Sequence, residues 1–439
     1  MRTLALLALV LGLCLPGEAA DTVNWPQFRG AASDGLGAGA TLPDDWDTDK
    51  NVVWQTDIPG WGWSSPVVWG DQVFVTSAVT EKKLDRPVIG GYPGGWLKPT
   101  DEQRFMLYCL DARSGKKLWE QEAFKGPAPE KRHPRNSYAS ETPVTDGEHV
   151  FAWFGNVGLY AYDMKGKKIW EQRLPAYPIR GGWGTGTSPV LYQDRLFIQN
   201  DNEKESYLAA LDKRTGKEIW RVAREERSNW STPYIWENDK RTELVTIGTA
   251  KIRSYDLDGK LLWELKGTSG LVSLMPVAKH GLLYVGAGYH IGPIYAIKPG
   301  ATGDITLKGG ETSNEFIAWS HLKGSGIHPS YLIVGGRLYV VFDAGFVTCY
   351  NAKTGEILYN RQRLETGGGR FYASPWSYHG KVFLLNEDGA TYVLEDGPTF
   401  KQVGKNVLED NAWATPAIAQ GALFVRTYSK LYRLEQPKK

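Results

Sequence analysis

The chain has 439 residues, a formal net charge of +2 and no long block of one sign, so charge gives neither nucleic acid nor an anionic membrane surface a reason to bind. Its composition is rich in Gly (50), Trp (18) and Tyr (22), with aromatic and β-branched runs broken by Gly, Asn and Asp, which favours strands and tight turns. No stretch keeps apolar residues at helical period for more than about ten residues, which speaks against a helical core.

At the N-terminus, Met1-Arg2 precedes an apolar run from Leu4 to Leu15 and a small-residue exit, Pro16 to Ala20. This is the pattern of a secretory signal peptide cleaved after Ala19 or Ala20, too short for a good membrane span. Leu11-Gly12-Leu13-Cys14 looks like a lipobox, but Leu13 stands where a small residue is needed, so lipid anchoring through Cys14 is disfavoured. A periplasmic or secreted protein is expected, with no transmembrane segment in the mature chain. Residues 21–50 read as an N-terminal extension, and its Trp25-Pro26-Gln27-Phe28-Arg29-Gly30 stretch has no role assignable from sequence.

From residue 51 to 436 the chain repeats. A proline anchor recurs at Pro66, Pro143, Pro189, Pro233, Pro276, Pro329, Pro375 and Pro416, mostly in steps of about 41 to 53 residues, the size of one propeller blade. Each anchor leads to a short strand, a turn, and an apolar triplet such as Val73-Phe74-Val75 or Leu196-Phe197-Ile198, as befits strands covered on both faces. A third strand ends in Asp or Asn opening a Gly turn, as in Asp111-Ala112-Arg113-Ser114-Gly115. The fourth strand carries an aromatic: Trp119, Trp170, Trp220, Trp263, Trp319, Tyr359 and, in the degenerate seventh repeat, Phe400. These rings are read as core, not as a cofactor box. An insertion at about 78–104, Gly- and Pro-rich around Gly90 to Trp96, interrupts the first repeat as a long surface loop, a lid, a docking arm or a tolerated excursion.

The eighth repeat stops at Leu434 without a fourth strand, whereas Asn51-Val52-Val53-Trp54-Gln55, outside any repeat, resembles Lys168-Ile169-Trp170-Glu171. The expected fold is therefore all-β: an eight-bladed β-propeller of four-stranded antiparallel blades, its ring closed by the Trp54 strand. Cys109 and Cys349 occupy the same place in blades that are not neighbours, so two buried free thiols are expected.

Repeats of the form Leu-Asp-Ala-x-Ser/Thr-Gly-Lys-x-x-Trp-Glu resemble those of the PQQ-like (quinoprotein-type) β-propeller family over about residues 51–435. The Trp25–Gly30 stretch, Gly62-Trp63-Ser64-Ser65-Pro66-Val67-Val68 and Lys131-Arg132-His133-Pro134-Arg135-Asn136-Ser137-Tyr138-Ala139-Ser140 are similar to exported, planctomycete-type members. The resemblance implies fold and export; function lives in grafted sites. Quinoprotein alcohol and glucose dehydrogenases of this kind use PQQ with calcium, but this chain lacks the adjacent cysteines of the alcohol-oxidising members and any segment like their calcium-ligand and catalytic-Asp motif. The propeller lipoprotein of the outer-membrane-protein assembly machinery, which binds protein partners, is nearer in size and blade count.

The connections from a fourth strand to the next first strand surround one mouth of the channel. There stand Trp61 and Trp63, Arg132, His133, Arg135, Asn136 and Tyr138, Arg180 and Trp183, Asn229 and Trp230, Arg370 and Tyr372, and Asn411 and Trp413. Aromatics beside Arg and Asn on one rim suit a planar, polar or anionic ligand; they equally suit packing of the channel top, with Arg and Asn capping loops. The Lys131–Arg135 cluster reads as an anion holder or as a solvated surface loop. No metal-ligand spacing, nucleophile elbow, P-loop or dinucleotide fingerprint occurs. No cofactor and no catalytic residue is predicted. The expected role is an exported monomeric scaffold binding an envelope protein or a small polar ligand, with a PQQ–calcium dehydrogenase and carbohydrate or polyanion binding at the rim as alternatives.

Overall fold

A computed structural model describes residues 24–81, 101–286, 288–289 and 292–437. The signal-peptide segment, Cys14 included, and the centre of the blade-one insertion, with Gly90 to Trp96, lie outside the described residues. Eight antiparallel sheets follow one another along the chain, and the propeller expectation holds. Blade one, for example, runs Val67–Trp69, Gln72–Val79, Glu102–Asp111 and Lys117–Pro127 from the inside out. Blade eight consists of Ala417–Ala419, Ala422–Arg426 and Lys430–Leu434, completed by Val52–Asp57, with Gln55 opposite Tyr432 and Asp57 opposite Lys430. The ring closes as expected.

Five outer-strand tryptophans each lock their blade to the next. The indole N–H of Trp54 donates to the Ala112 carbonyl (3.0 Å), that of Trp119 to Met164 (3.1 Å), Trp170 to Lys213 (2.9 Å), Trp220 to Leu257 (2.9 Å) and Trp319 to Ala352 (2.9 Å). Each acceptor follows the Asp or Asn that opens the next blade's turn. The turn glycine lies under the ring: a Cβ at Gly115, whose φ is +69°, would come within 2.5 Å of Trp54. That glycine is needed for its backbone and for the close approach.

Across the sheet, the aromatic faces a small residue: Trp119 is opposite Cys109, Trp170 opposite Ala161, Trp220 opposite Ala210, Trp319 opposite Ala296 and Tyr359 opposite Cys349. Register thus explains the two cysteines. Both are free and buried, and burial pushes the Cys349 thiol up to about 12 and the Cys109 thiol up as well.

Five details depart from the sequence reading. Trp263 donates instead to Glu243 Oε2 of its own blade (2.7 Å), because blade five replaces the tight Gly turn with an excursion over 298–316. Part of that excursion, Gly303–Asp304, pairs in parallel with Leu261–Lys266 as a fifth strand of blade four. In blade seven the aromatic place belongs to Gly404, opposite Val393; Phe400 precedes the strand Gln402–Val407 and meets the Tyr359 ring of blade six at 5.7 Å. The blade-one insertion is shorter than 78–104, since Val79 pairs with Arg104. In blade six the inner strand Leu332–Val334 starts two residues beyond the expected phase, so Tyr331 stands in the anchor's place.

Just before the anchors, a ring of hydroxyls ties the inner strands together. The backbone N–H of Ser65 donates to Thr142 Oγ1, Thr142 to Ser188 Oγ, Ser188 to Thr232 Oγ1, Met275 to Ser330 Oγ, Ser330 to Ser374 Oγ and Ser374 to Thr415 Oγ1, at 2.9–3.1 Å. These bonds satisfy inner-strand donors that no neighbouring strand reaches.

The N-terminal extension crosses the opposite end of the channel. Trp25 pairs with Val68 of blade one, the Pro26 carbonyl accepts from Thr145 of blade two, and Asp34 meets Lys279 of blade five at 3.2 Å. Arg29 donates to the Tyr331 carbonyl of blade six (2.6 Å), Gly37 to Ser377 of blade seven, and Thr41 to Gly421 of blade eight. A segment that touches six inner strands or their turns must span the channel. The Trp25–Gly30 stretch is its plug.

Candidate functional site

The rim residues occupy a common place in the repeat. Two residues before the hydroxyl ring stand Trp63, Ser140, Gly186, Trp230, Ser273, His328, Tyr372 and Trp413. Blades six, seven, eight and one therefore present four consecutive rings, and these stack along the mouth. His328 meets Tyr372 edge-on at 4.9 Å, Tyr372 stacks on Trp413 at 4.3 Å, and Trp413 stacks on Trp63 at 4.9 Å and 12°. Trp61 and Tyr428 close the arc, each edge-on or tilted to its neighbours at 5.8–6.5 Å.

The connection entering blade two crosses this arc and fixes it. The Arg135 guanidinium lies 5.3 Å from the Tyr372 ring centre and 5.2 Å from that of Trp413, and ion-pairs with Glu387 of blade seven, both groups buried. The Arg135 carbonyl accepts the Trp63 indole N–H (2.9 Å). Arg132 sits 4.2 Å over Trp61 and 5.3 Å from Tyr138, its guanidinium donating to the Asn136 carbonyl (2.8 Å). Asn136 in turn donates to the Trp183 and Thr185 carbonyls. Burial holds the Arg132 guanidinium down at about 10 and, with Arg135 and Arg132 adding repulsion, the His133 imidazole down at about 4, so His133 is neutral at pH 7. The Lys131–Arg135 cluster is thus not a solvated loop: Arg132, His133 and Arg135 are all buried.

A second group lies across the mouth, where the Trp183 and Trp230 rings meet at 5.7 Å and Trp230 donates to the Gly184 carbonyl (2.7 Å). Asn229 Oδ1 accepts the Ser231 N–H, and Asn411 Nδ2 donates to the Glu387 carbonyl, so both asparagines cap loops as well as facing the rim. Arg180 is exposed on a 3-10 turn, and Arg370 contributes its backbone N–H to Glu387 Oε1 (2.9 Å). Neither arginine joins a ring cluster.

Sequence reasoning missed Glu387, His328, Tyr428 and Glu141. Glu387 lies in an Asn-Glu-Asp-Gly turn that reads as exposed, and only the fold turns it inward. His328 and the ring arc were legible in principle, from the offset to the hydroxyl ring. Asp146, Glu148 and His149 also bring ligand atoms within 4.8 Å of one another, but Lys213 already holds Asp146 Oδ2 at 2.9 Å.

A family profile described as outer membrane protein assembly factor BamB matches residues 45–178, 103–270 and 204–297. A 1-butanol dehydrogenase (quinone) of Thauera butanivorans is 26% identical over 124 residues, which is 26% of this chain and only 19% of that enzyme. Among solved structures, BamB from Moraxella catarrhalis aligns with a TM-score of 0.60 at 14% identity, over 88% of this chain and 97% of its own. The quinohemoprotein alcohol dehydrogenase of Comamonas testosteroni aligns with a TM-score of 0.59 at 12% identity, over 96% of this chain and 83% of its own. At such identities the structural likeness speaks for the fold alone. Among the described residues no helix is long and apolar enough to cross a membrane.

Proposed function

The chain belongs to the PQQ-like propeller family that the BamB profile describes, and from that premise we propose that it is an exported scaffold of the cell envelope, binding a protein partner on its rim face. The carrying observation is the arc from His328 through Tyr372 and Trp413 to Trp63, clamped by the Arg135–Glu387 pair. His328, Tyr372 and Trp413 are half-buried and backed by the buried Trp63; fixed before any partner arrives, with the Arg135 guanidinium against two of them, they make an anchor that loses little conformational entropy on binding. The family description names an assembly factor for outer membrane proteins, which points to envelope proteins as partners. Export would follow from the signal peptide read at residues 1–20, and a monomer would suffice for this role.

A quinone cofactor with calcium fits the mouth poorly. The planar slot such a group needs is taken up by rings at 4.3 and 4.9 Å from one another, and the Trp25–Gly37 segment crosses the other end of the channel.

The test is affinity capture from native envelope extract with the wild-type chain and with Trp413→Ala and Tyr372→Ala, each checked for an intact thermal transition. A partner captured by the wild type and lost with both variants is expected. The same partners retained by both variants would remove the rim arc from the function. Saturable PQQ binding with dye-linked alcohol oxidation would replace the scaffold reading altogether.

A further inference from the structure

Blade seven lacks the outer-strand ring that every other blade carries. In blades one, two, three, five and eight, the second-strand ring meets the outer tryptophan at 5.8–6.1 Å, as Phe74 meets Trp119 with Cys109 between them in register. Blades four and six keep Trp263 and Tyr359 at that outer place. In blade seven the same row reads Phe383, Val393, Gly404. A Cβ at Gly404 would lie 3.5 Å from Val393, so the outer place is open to a side chain. Blade eight, for its part, has no Gly turn to receive an indole. Its third strand, Lys430–Leu434, and its fourth, Val52–Asp57, are far apart in the chain. Glu435 donates instead to the Asn51 carbonyl and Gln436 to the Thr41 carbonyl, both at 2.9 Å. Both halves of the lock are therefore missing at one seam.

Residues 41–51, between the plug and the closing strand, bring a ring to that seam. Trp46 is buried and stacks on Phe383 at 5.9 Å and 27°, the distance at which the outer tryptophans meet their own second-strand rings. Trp376 and Tyr378 stack on the same phenyl at 5.7 and 4.3 Å, and the cluster continues into blade eight through Ile418 and Leu423. Polar contacts fix the segment on both sides. On blade seven, Tyr378 Oη donates to the Pro43 carbonyl (2.5 Å), and Lys381 Nζ lies 3.1 Å from Asp44 Oδ1. On blade eight, Thr41 Oγ1 donates to the Gly421 carbonyl (2.8 Å). The Trp46 indole N–H finds no partner among the described residues, whereas the five locking tryptophans each donate to the next blade. This ring holds by packing alone, so it can withdraw without breaking a hydrogen bond of its own.

The mouth end of this seam carries the tightest stack of the arc. Tyr372 leads into blade seven and Trp413 into blade eight, and their rings are 4.3 Å apart. Close-packed sheets transmit a displacement with little loss, so a shift of blade seven against blade eight is felt at both ends of the seam. We propose that residues 41–51 are a strap that supplies the missing lock from outside the repeat, and that by holding blades seven and eight together it sets the geometry of the rim arc. What the strap does for binding rests on the rim reading; the lock itself stands without it.

Hydrogen exchange reads the seam, and near-ultraviolet circular dichroism reads the arc as the difference made by Trp413→Ala. Trp46→Ala is expected to speed exchange at least about tenfold in Lys381–Leu385, Ala390–Glu395 and Ala422–Arg426, while blades two and three keep wild-type rates. In the Trp46→Ala background, the Trp413 difference spectrum is expected to shrink. Trp170→Ala, which empties the lock between blades two and three, serves as the control: it should speed exchange there and leave the Trp413 difference spectrum unchanged. If Trp46→Ala does not fold, Trp46→Leu carries the same comparison with smaller effects. Returning the ring to the repeat, with Gly404→Trp and Val393→Ala added to Trp46→Ala, should restore slow exchange at the seam. Exchange that is unchanged, or equally faster in all blades, overturns the lock, as does a returned ring that restores nothing. Faster exchange at the seam with an intact Trp413 difference spectrum overturns the hold on the arc. Neither measurement involves a partner, so failure of the strap is distinguishable from failure of partner capture at the rim.

Discussion

Trp263 shows what one side chain contributes here. It is fully buried, and its indole N–H is bonded to Glu243, which also serves Ser254 and Arg241. Trp263→Ala opens a cavity between blades four and five and is expected to lower stability by about 3–5 kcal/mol. Trp220→Ala, at a half-buried place, is expected to cost less, and a chemical-denaturation loss under about 1 kcal/mol for Trp263→Ala would contradict the packing. Charge acts at the same scale. Burial raises the Glu141 carboxyl from 4.5 to about 7, against partial relief from Thr185 and backbone N–H groups. Between those values the folded chain keeps a proton that the unfolded chain has lost. The contribution of Glu141 is therefore most favourable below pH 4.5 and worsens by roughly 3 kcal/mol as pH rises to 7. His133, held down at about 4 by burial, works in the other sense, gaining stability as pH rises through its range. Comparing Glu141→Gln with wild type at pH 5 and pH 8 isolates the carboxyl: the variant gains relative to wild type at the higher pH. Parallel pH profiles for the two proteins would show that Glu141 does not titrate as its burial dictates.

At the scale of the element, the lock between a tryptophan and the next blade's Gly turn makes a separable prediction. Gly115 and Gly336 both have positive φ, but a Cβ at Gly115 would strike the Trp54 ring at 2.5 Å, whereas nothing lies within 4 Å of one at Gly336. Gly336→Ala is expected to cost about 1 kcal/mol, the backbone penalty alone. Gly115→Ala should cost at least about 2 kcal/mol, because the closing strand must also move. Equal losses in urea denaturation would mean that the ring contact contributes nothing. This lock is why so much of the fold was legible: Asp or Asn, Gly and Trp recur at fixed offsets, and each offset has a mechanical cause. Elements without a repeated partner were not legible. The Gly303–Asp304 strand pairs in parallel with a neighbouring blade, an arrangement no local pattern announces. The Trp25–Gly37 plug is held by backbone bonds at Val68, Thr145 and Ser377 and by the Arg29 and Asp34 side chains on blades six and five, and its sequence carries no periodicity. Phe400 was misplaced because blade seven leaves the aromatic place to Gly404, and an aromatic two residues before the strand took its role in the reading.

At the scale of the whole molecule, two N-terminal pieces close different things. Val52–Asp57 closes the ring, while residues 24–43 close the lower end of the channel. Their energetics differ in kind. The strand completes a sheet whose edge would otherwise expose a row of unpaired backbone groups on blade eight, and it brings the Trp54 lock to blade one. The plug buries Trp25 and Leu42 but also the whole Arg29 guanidinium, whose Nε and Nη1 find no partner among the described residues and which burial holds down at about 10. Apolar gain and charge desolvation oppose each other there, so the plug's net contribution is modest. Deleting residues 24–43 is therefore expected to leave a monomer that unfolds in one cooperative transition at a somewhat lower temperature. Extending the deletion through residue 57 leaves an eighth blade of three strands with an open edge, and broad or multiple transitions with self-association are expected. Calorimetry with light scattering separates the cases. Equal damage from the two deletions would mean that the plug, and not the closing strand, holds the propeller together.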